Sequence, residues 1–364
     1  MKFTSIVEKL PSTVPFVGPE ALERRSGAAI SARIGANENV FGPSPKAISA
    51  MQAAATESWK YGDPENYDLK SAIAASLGVK PENIVCGGGI DGLLGLVVRL
   101  FIEPGDPVAT SLGAYPTFNF HVAAAGGRLV AAPYVNDRED LESLLALARK
   151  EHAKLIYLAN PDNPMGTFWN GSEVQSFIAR VPDETLLLLD EAYVEFAPDG
   201  LAPPIDCTRK NLLRFRTFSK AHGMAGIRVG YAIGHQDIVS AFDKIRNHFG
   251  ISRISQAGAL AAIADAKWIG HVQREVARAR IRIAEIGRAN GLQPLVSATN
   301  FVTLDCGRDG THARAIVDGL LQHGIFIRMP GVAPLNRCIR VSCGTPDDLD
   351  LLEKALPRVL ASLP

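Results

Sequence analysis

The chain has 364 residues, 47% of them hydrophobic and 21% charged, enough for a large core and for two domains. Lys+Arg and Asp+Glu balance at 38 each, so the molecule as a whole has no charge to draw in a nucleic-acid backbone. The five cysteines, Cys86, Cys207, Cys306, Cys338 and Cys343, are scattered and form no CxxC pair, which argues against a disulfide framework or a zinc site and for a reducing compartment.

In chain order, the first segment, MKFTSIVEKLPSTVP, is interrupted by Glu8 and Lys9 and has no apolar signal core. No later stretch is long and apolar enough to span a bilayer, so the expected location is the cytoplasm. Residues 1–35, rich in Pro and Gly, read as an irregular N-terminal arm. Ser44-Pro45 predicts a capped helix start, with Ile48 and Met51 on one face. A second helix is predicted over 66–77, stopping at Gly78. Short apolar runs then alternate with helical stretches: IVC (84–86), PVAT (107–110), RLVAAPY (128–134), KLIYLA (154–159), TLLLLD (185–190), LLRF (212–215) and VGYAI (229–233). This is the pattern of an α/β fold, a mainly parallel sheet with helices on both faces, and we assign it to a large domain over 36–252.

After about residue 250 the texture changes to that of a smaller α+β C-terminal domain, 253–364. One long helical region is expected to reach Gly291. Its apolar stripe falls at 269, 272, 276, 279, 283 and 286, with the arginines of ARARIRIAEIGR (277–288) on the wet side. Strand-like runs FVTLDC (301–306), IFIR (325–328) and CIRVSC (338–343) follow, and Thr345-Pro346 with Asp348 opens a closing helix through a capping box. The arm is expected to pack with this smaller domain.

GGGIDG (87–92) satisfies G-x-G-x-x-G, but a dinucleotide site also needs a carboxylate about 20 residues on, at the end of the next strand. That strand runs into Ser111-Leu112-Gly113, with no carboxylate. What remains is either a tight turn or a glycine-rich cradle for a phosphate at a helix start. Other polar loops fall at predicted strand ends, where open α/β sheets place ligands: AYPTF (114–118), NPDNPMG (160–166), DEAY (190–193) and FSK (218–220). Each residue alone has a plain structural role open to it, as a cap, a turn or a core aromatic. Together they offer what pyridoxal phosphate requires: a lysine amine for its aldehyde, a carboxylate for its ring nitrogen, donors for its phenolic oxygen, and a phosphate cradle.

On these blocks the chain resembles the fold type I, pyridoxal-phosphate-dependent aminotransferases of class I/II, and within them the histidinol-phosphate aminotransferase branch. The resemblance covers nearly the whole chain. It also runs through NENVFGPSPKA (37–47), YGDPENYDLKSAIA (61–74), FIEPGDPV (101–108), RTFSKAHGMAGIRVGY (216–231) and IRVSCGTPDDLDLL (339–352). It implies that Lys220 forms the Schiff base and moves the α-proton, and that Asp190 partners the ring nitrogen. Tyr193 and Asn163 are the implied donors to the phenolic oxygen, and Tyr115 stacks on the ring. Ser219, Arg228 and the amides of Ile90 and Asp91 are the implied phosphate cradle. Tyr61 is implied to reach the phosphate of a neighbouring subunit, hence a homodimer with shared active sites. Arg340 is implied to grip the substrate α-carboxylate, and Asn163 is implied to take part in substrate binding as well. Arg328 is either a contact for a substrate phosphate or a surface salt bridge.

The expected reaction is ping-pong transfer of an amino group between a donor, histidinol phosphate or an aromatic or other amino acid, and a 2-oxo acid such as 2-oxoglutarate. The alternative is decarboxylation of a phosphorylated amino acid on the same cofactor. An oxidoreductase built on GGGIDG leaves Lys220, Asp190 and Arg340 unexplained, and a non-catalytic regulator has no use for them. The chain departs from the family at Gly92, where an acidic residue is usual, at NPDNPMG in place of NPNNPTG, at 246–256 (RNHFGISRISQ), and in the arm over 14–25 (VPFVGPEALERR). These departures bear on substrate choice.

Overall fold

The structure, a computed structural model, describes residues 1–11 and 17–363. Residues 12–15 of the opening segment, and 14–16 of the divergent arm stretch, lie outside the described residues. Among the described residues the central sheet has seven strands. Their order is Ile84–Gly87, Gly230–Gly234, Leu212–Thr217, Leu186–Asp190, Leu155–Ala159, Pro107–Ser111 and Arg128–Ala132. Gly230–Gly234 runs antiparallel to both of its neighbours, and the other pairings are parallel. Six strands therefore point the same way and bring their C-terminal ends to one edge.

The burial explains why the strands read as continuous apolar runs. Leu155–Ala159 and Leu186–Asp190 are buried at every position. Along the first, Leu155, Tyr157 and Ala159 enter one core layer with Phe118, Val122 and Val97, while Ile156 and Leu158 enter the opposite layer with Leu144 and Phe177. A period of two with both faces covered leaves no polar side.

The predicted helix starts are found. Ser44 caps Pro45–Ala55 by accepting from the Ala47 amide at 3.1 Å. Tyr67–Leu77 ends at Gly78, whose φ of 68° is left-handed. Thr345 and Asp348 form the capping box of Pro346–Ser362.

Three expectations need correction. The arm is not irregular: it holds helices Ser5–Lys9 and Pro19–Ser26, the second opened by Gly18-Pro19 and closed by Gly27 at φ 70°. The helical region after 250 is two helices, Arg253–Ile263 and Ala266–Ala289, broken at Ala264-Asp265. The apolar stripe of the longer helix does face the core, with Val272, Val276, Ala279, Ile283 and Ile286 buried against Phe301, Val341 and Leu352. Arg280, however, is not on the wet side. It turns inward and donates to the carbonyls of Phe196, Ser297 and Thr299.

Phe301–Asp305 pairs antiparallel with Cys338–Ser342 and with Gln293–Pro294. Ala32–Arg33 of the arm lies parallel to Ile325–Phe326. Ile34 then accepts from the Ser342 amide at 2.8 Å, which leads the chain directly toward the sheet edge where the polar loops gather.

Candidate active site

Lys220 follows the strand Leu212–Thr217 by three residues, so its position is set by the strand end. Its Nζ donates to the carbonyl of Asn37 at 3.0 Å and lies 5.6 Å above the ring of Tyr193. Burial of the amine, helped by the positive charge of Arg340, lowers its pKa to about 8. On the adjacent strand, Asp190 ends Leu186–Asp190 and is buried. Tyr157 donates to Oδ2 at 2.7 Å and the Ala192 amide donates to Oδ1 at 2.9 Å. Burial still dominates and raises the carboxyl to about 6, so this group is poised for a cationic partner that would pull it down.

Tyr193 lies between them. Its hydroxyl accepts from Asn37 Nδ2 at 3.0 Å and from Asn163 Nδ2 at 3.3 Å, which leaves its own proton to donate. Asn163 also accepts from Arg340 Nη1 at 2.5 Å. Arg340 projects from Cys338–Ser342, with its guanidinium 5.1 Å from the ring of Phe301. Its Nε is buried and has no hydrogen-bond partner. Burial lowers its pKa to about 10. A planar fork with an unsatisfied donor at a cleft is suited to a carboxylate.

The glycine-rich turn opens the helix Gly89–Phe101, whose first amides have no helical acceptors. Arg228 faces this turn in a left-handed conformation, φ 56°. Its Nη1 donates to Ser219 Oγ at 3.2 Å and its Nη2 to the Gly88 carbonyl at 3.4 Å. Gly89 has φ 81°, and a Cβ there would lie 2.5 Å from Arg228 Nη2. The cradle therefore requires glycine both for backbone conformation and for the close approach of the guanidinium. Hydroxyl, guanidinium and helix amides together fit a dianionic phosphate.

A model for the family "aminotransferase class I and II" matches residues 32–356. The chain belongs to that family. It is 35% identical over 365 residues to a histidinol-phosphate aminotransferase of Anaeromyxobacter sp., covering 98% of both chains. To a histidinol-phosphate aminotransferase of Moorella thermoacetica it is 32% identical, over 96% of this chain and 90% of the relative. The crystal structure of histidinol-phosphate aminotransferase from Sinorhizobium meliloti in complex with pyridoxal-5'-phosphate superposes with a TM-score of 0.97. The two are 56% identical and the match covers 100% of this chain and 98% of that one. The fold is thus that of the fold type I aminotransferases, and the chain is an enzyme of that class. The decarboxylase alternative is not favoured, since these relatives are all aminotransferases.

Within this class I/II architecture, Lys220, Tyr193, Asn163 and Arg340 are linked through Asn37 and the contacts above, Asp190 ends the strand next to the one before Lys220, and Ser219 and Arg228 adjoin the helix start that carries Ile90 and Asp91. Tyr115, half-buried at the head of Pro116–Ala124, lies close enough to Asp190 and Arg340 to feel their charges. Asp91 turns its side chain away to His121, 2.8 Å distant, leaving only its amide for the cradle. Arg328 bridges Arg340 through the backbone and donates from Nη2 to the Val17 carbonyl of the arm at 3.0 Å. Tyr61 is not gathered in. It is 77% exposed and packs on Phe249 at 4.7 Å, beside exposed Trp59 and Tyr67. The divergent 246–256 segment packs on this same stretch, with Arg246 and Arg253 donating to the carbonyls of Pro64 and Tyr61. Within one chain it supports Tyr61 and its neighbours.

Sequence reasoning missed two residues. Tyr157 is the one hydroxyl in the apolar run KLIYLA, an oddity that marks a polar target inside the sheet. Asn37 stands in the quoted NENVFG block. It contacts Lys220, Tyr193, Ser342 and Asn300, which no spacing rule foresees.

Proposed function

We propose that the protein transfers an amino group from histidinol phosphate to a 2-oxo acid such as 2-oxoglutarate, in a ping-pong cycle on pyridoxal 5'-phosphate. The observation that carries this reading is the convergence on one sheet edge of a low-pKa lysine, a buried carboxylate, a phosphate cradle and an arginine with an unpartnered Nε. Bound there, the cofactor would supply an electron sink for the carbanion left when the α-proton departs.

The chain's own groups divide the remaining work. Ser219, Arg228 and the amides of Ile90 and Asp91 would hold the phosphate. Asp190 would hold the proton on the ring nitrogen, fixed in place by Tyr157 and the Ala192 amide. Tyr193 and Asn163 would hydrogen-bond the phenolic oxygen, and Tyr115 would cover the ring face. Arg340 would fix the α-carboxylate of the amino acid or 2-oxo acid, oriented by Asn163. Lys220 would anchor the aldehyde and, once released, carry the proton between the substrate α-carbon and the cofactor. A pKa near 8 leaves it a useful neutral fraction for that task. Arg328, next to Arg340 and half-buried, would meet the phosphate of histidinol phosphate.

The same reading makes the enzyme a homodimer in which Tyr61 of one subunit completes the other's phosphate cradle. The exposed aromatic patch of Trp59, Tyr61, Tyr67 and Phe249 supports it. It places a large domain at 36–252, a smaller one at 253–364, and the arm at 1–35. No helix among the described residues is long and apolar enough to cross a membrane, and the five free cysteines fit a reducing cytoplasm.

The test is an absorption titration of the cofactor-loaded protein with histidinol phosphate, glutamate, phenylalanine and phosphothreonine as single donors. Conversion of the visible band to the near-ultraviolet amine form by histidinol phosphate is the expected result. A visible band that histidinol phosphate leaves unchanged and another donor converts would reassign the substrate.

A further inference from the structure

A short hairpin ties together the elements that carry Asn163 and Arg340. Tyr134–Val135 and Arg138–Glu139 pair antiparallel, and Asn136 and Asp137 between them have φ of 52° and 59°. Two left-handed residues make the tight turn that a two-residue hairpin needs, and Asn and Asp are among the non-glycine residues that adopt it most readily. The hairpin is fastened to the 160–169 stretch along its length. Tyr134 Oη donates to Asp162 Oδ1 at 2.8 Å, Thr167 Oγ1 to the Asp137 carbonyl at 3.1 Å, and the Trp169 indole to the Glu139 carbonyl at 2.8 Å. Hairpin and loop thus form one unit, and Asn163 belongs to it.

The tip of this unit meets the start of the strand that carries Arg340. Arg337 Nη2 donates to both carboxylate oxygens of Asp137, at 2.9 and 2.7 Å. Its Nε donates to Asp305 Oδ2 at 2.9 Å and its Nη1 to the Pro334 carbonyl at 3.1 Å. Asp305 lies opposite Cys338 in the pairing of Phe301–Asp305 with Cys338–Ser342, so the guanidinium is rooted in its own sheet. The side chains of Arg337 and Asp137 are 26% and 21% exposed, so solvent and salt screen the pair only in part. Bonds between two charged groups are also roughly twice as strong as neutral ones. Leu335 and Cys338, on either side of Arg337 in sequence, pack with buried Met165 of the loop and with Tyr134.

We propose that the Arg337–Asp137 ion pair sets Asn163 and Arg340 at their working distance for the substrate carboxylate, by fixing the hairpin-and-loop unit to the strand start three residues before Arg340. The last link rests on the reading of Arg340 given above. Arg340 Nη1 donates to Asn163 Oδ1, so a shift of the loop against the strand turns the guanidinium fork away from its bound orientation. Asp137 and Arg337 touch neither cofactor nor substrate in this scheme and are positioning residues. Neutral bonds join loop and sheet as well: Thr303 Oγ1 donates to the Pro164 carbonyl at 2.8 Å and the Ala298 amide to the Gly166 carbonyl at 3.0 Å. They keep the loop attached when the ion pair is lost, so the consequence is a change of position and not unfolding.

Asp137 is the partner to replace. Arg337 keeps Asp305 when Asp137 is gone, whereas removal of Arg337 leaves two carboxylates without their cation. D137G deletes the contact and preserves the left-handed turn. D137N preserves the turn and one acceptor but not the charge. N136G makes the same exchange to glycine one position earlier and leaves the ion pair in place, so it controls for a looser turn.

The experiment has two readouts on the cofactor-loaded protein. Without substrate, hydrogen exchange over residues 160–167, followed by mass spectrometry, should be about tenfold faster in D137G than in wild type and unchanged in N136G. This readout is independent of the substrate reading. In steady-state kinetics D137G should raise KM for both the amino donor and the 2-oxo acid about tenfold, and D137N about threefold, with kcat within about twofold, because a carboxylate grip is shared by ground and transition states. N136G should keep the wild-type KM. R340K, measured alongside, tests the carboxylate reading by itself and should raise both KM values at least about tenfold. D137N carries both readouts if D137G does not fold. Wild-type exchange in D137G, or equal KM rises in D137G and N136G, would overturn the proposal. So would KM values that D137G leaves alone while R340K raises them. KM values that R340K leaves unchanged would overturn the carboxylate reading instead, and this positioning role with it.

Discussion

At the scale of single residues, Tyr157 and Lys220 lead to different measurements. Tyr157 supplies one of the two hydrogen bonds that keep Asp190 ionisable in a buried site. In Y157F the carboxyl should take up a proton more readily and hold the ring nitrogen's proton less firmly. A hydrogen bond to a charged group is worth about 1.5–3 kcal/mol, so kcat should fall by roughly tenfold to a hundredfold while KM changes little. Steady-state kinetics would show this split. K220A should lose the visible absorption band of the loaded protein and at least about 10³-fold of the transfer rate. The Lys220 amine becomes neutral as pH rises through about 8, well below the range of a solvated lysine. The rate at which cofactor-free protein captures the aldehyde should therefore climb between about pH 7 and about pH 9 and then level off. A midpoint near 10 in stopped-flow absorbance would contradict the burial argument. Lys220 stood out in the sequence because its neighbours are small and its motif is specific. Tyr157 did not, because a tyrosine in a strand is an ordinary core residue until its partner is known.

Among the elements, the turn from Gly87 to Gly89 and the loop carrying Ser219, two residues past the strand Leu212–Thr217, make up the proposed cradle. G89A introduces a Cβ at φ 81° and against Arg228. It should cost about 1–2 kcal/mol of stability and at least about tenfold in cofactor affinity. Thermal melting of the cofactor-free protein separates the two effects from each other. The strands and most helices were legible because burial on both faces writes itself as unbroken apolar runs, and because Ser44, Gly78 and Thr345 are explicit caps. The arm was misread because its helices are short and carry few buried residues, so no periodic stripe announces them. The break at Ala264-Asp265 was hidden for the opposite reason: helix-forming alanines flank it, and only the conformation of Asp265 interrupts the run. The reversed direction of Gly230–Gly234 is invisible in VGYAI, since an apolar strand reads the same in either sense.

For the whole molecule, the exposed Trp59–Tyr67 stretch is the place to test assembly. Sedimentation should give twice the mass of one chain, and F249D, which places a charge against Tyr61, should shift it toward one. Y61F should keep the dimer and weaken cofactor binding several-fold, because only a hydroxyl is lost. Mixing K220A with Y61F subunits should then restore one intact cradle in each mixed dimer, which a site confined to one chain would not allow. A monomer at assay concentration would sink the shared-site part of the reading.

Asn37 and Ser342 stand 305 positions apart, yet the amide of one donates to the hydroxyl of the other at 3.0 Å, next to the carbonyl that receives Lys220. Arg340 comes from the same late strand. A ribosome must therefore release almost the whole polypeptide before this centre can close, even though the sheet beneath it can assemble earlier. Prematurely terminated products would keep much of the scaffold and still lack the grip on substrate. Capture of the vitamin-derived group is in this sense a proofreading step: its retention reports that synthesis ran to the end.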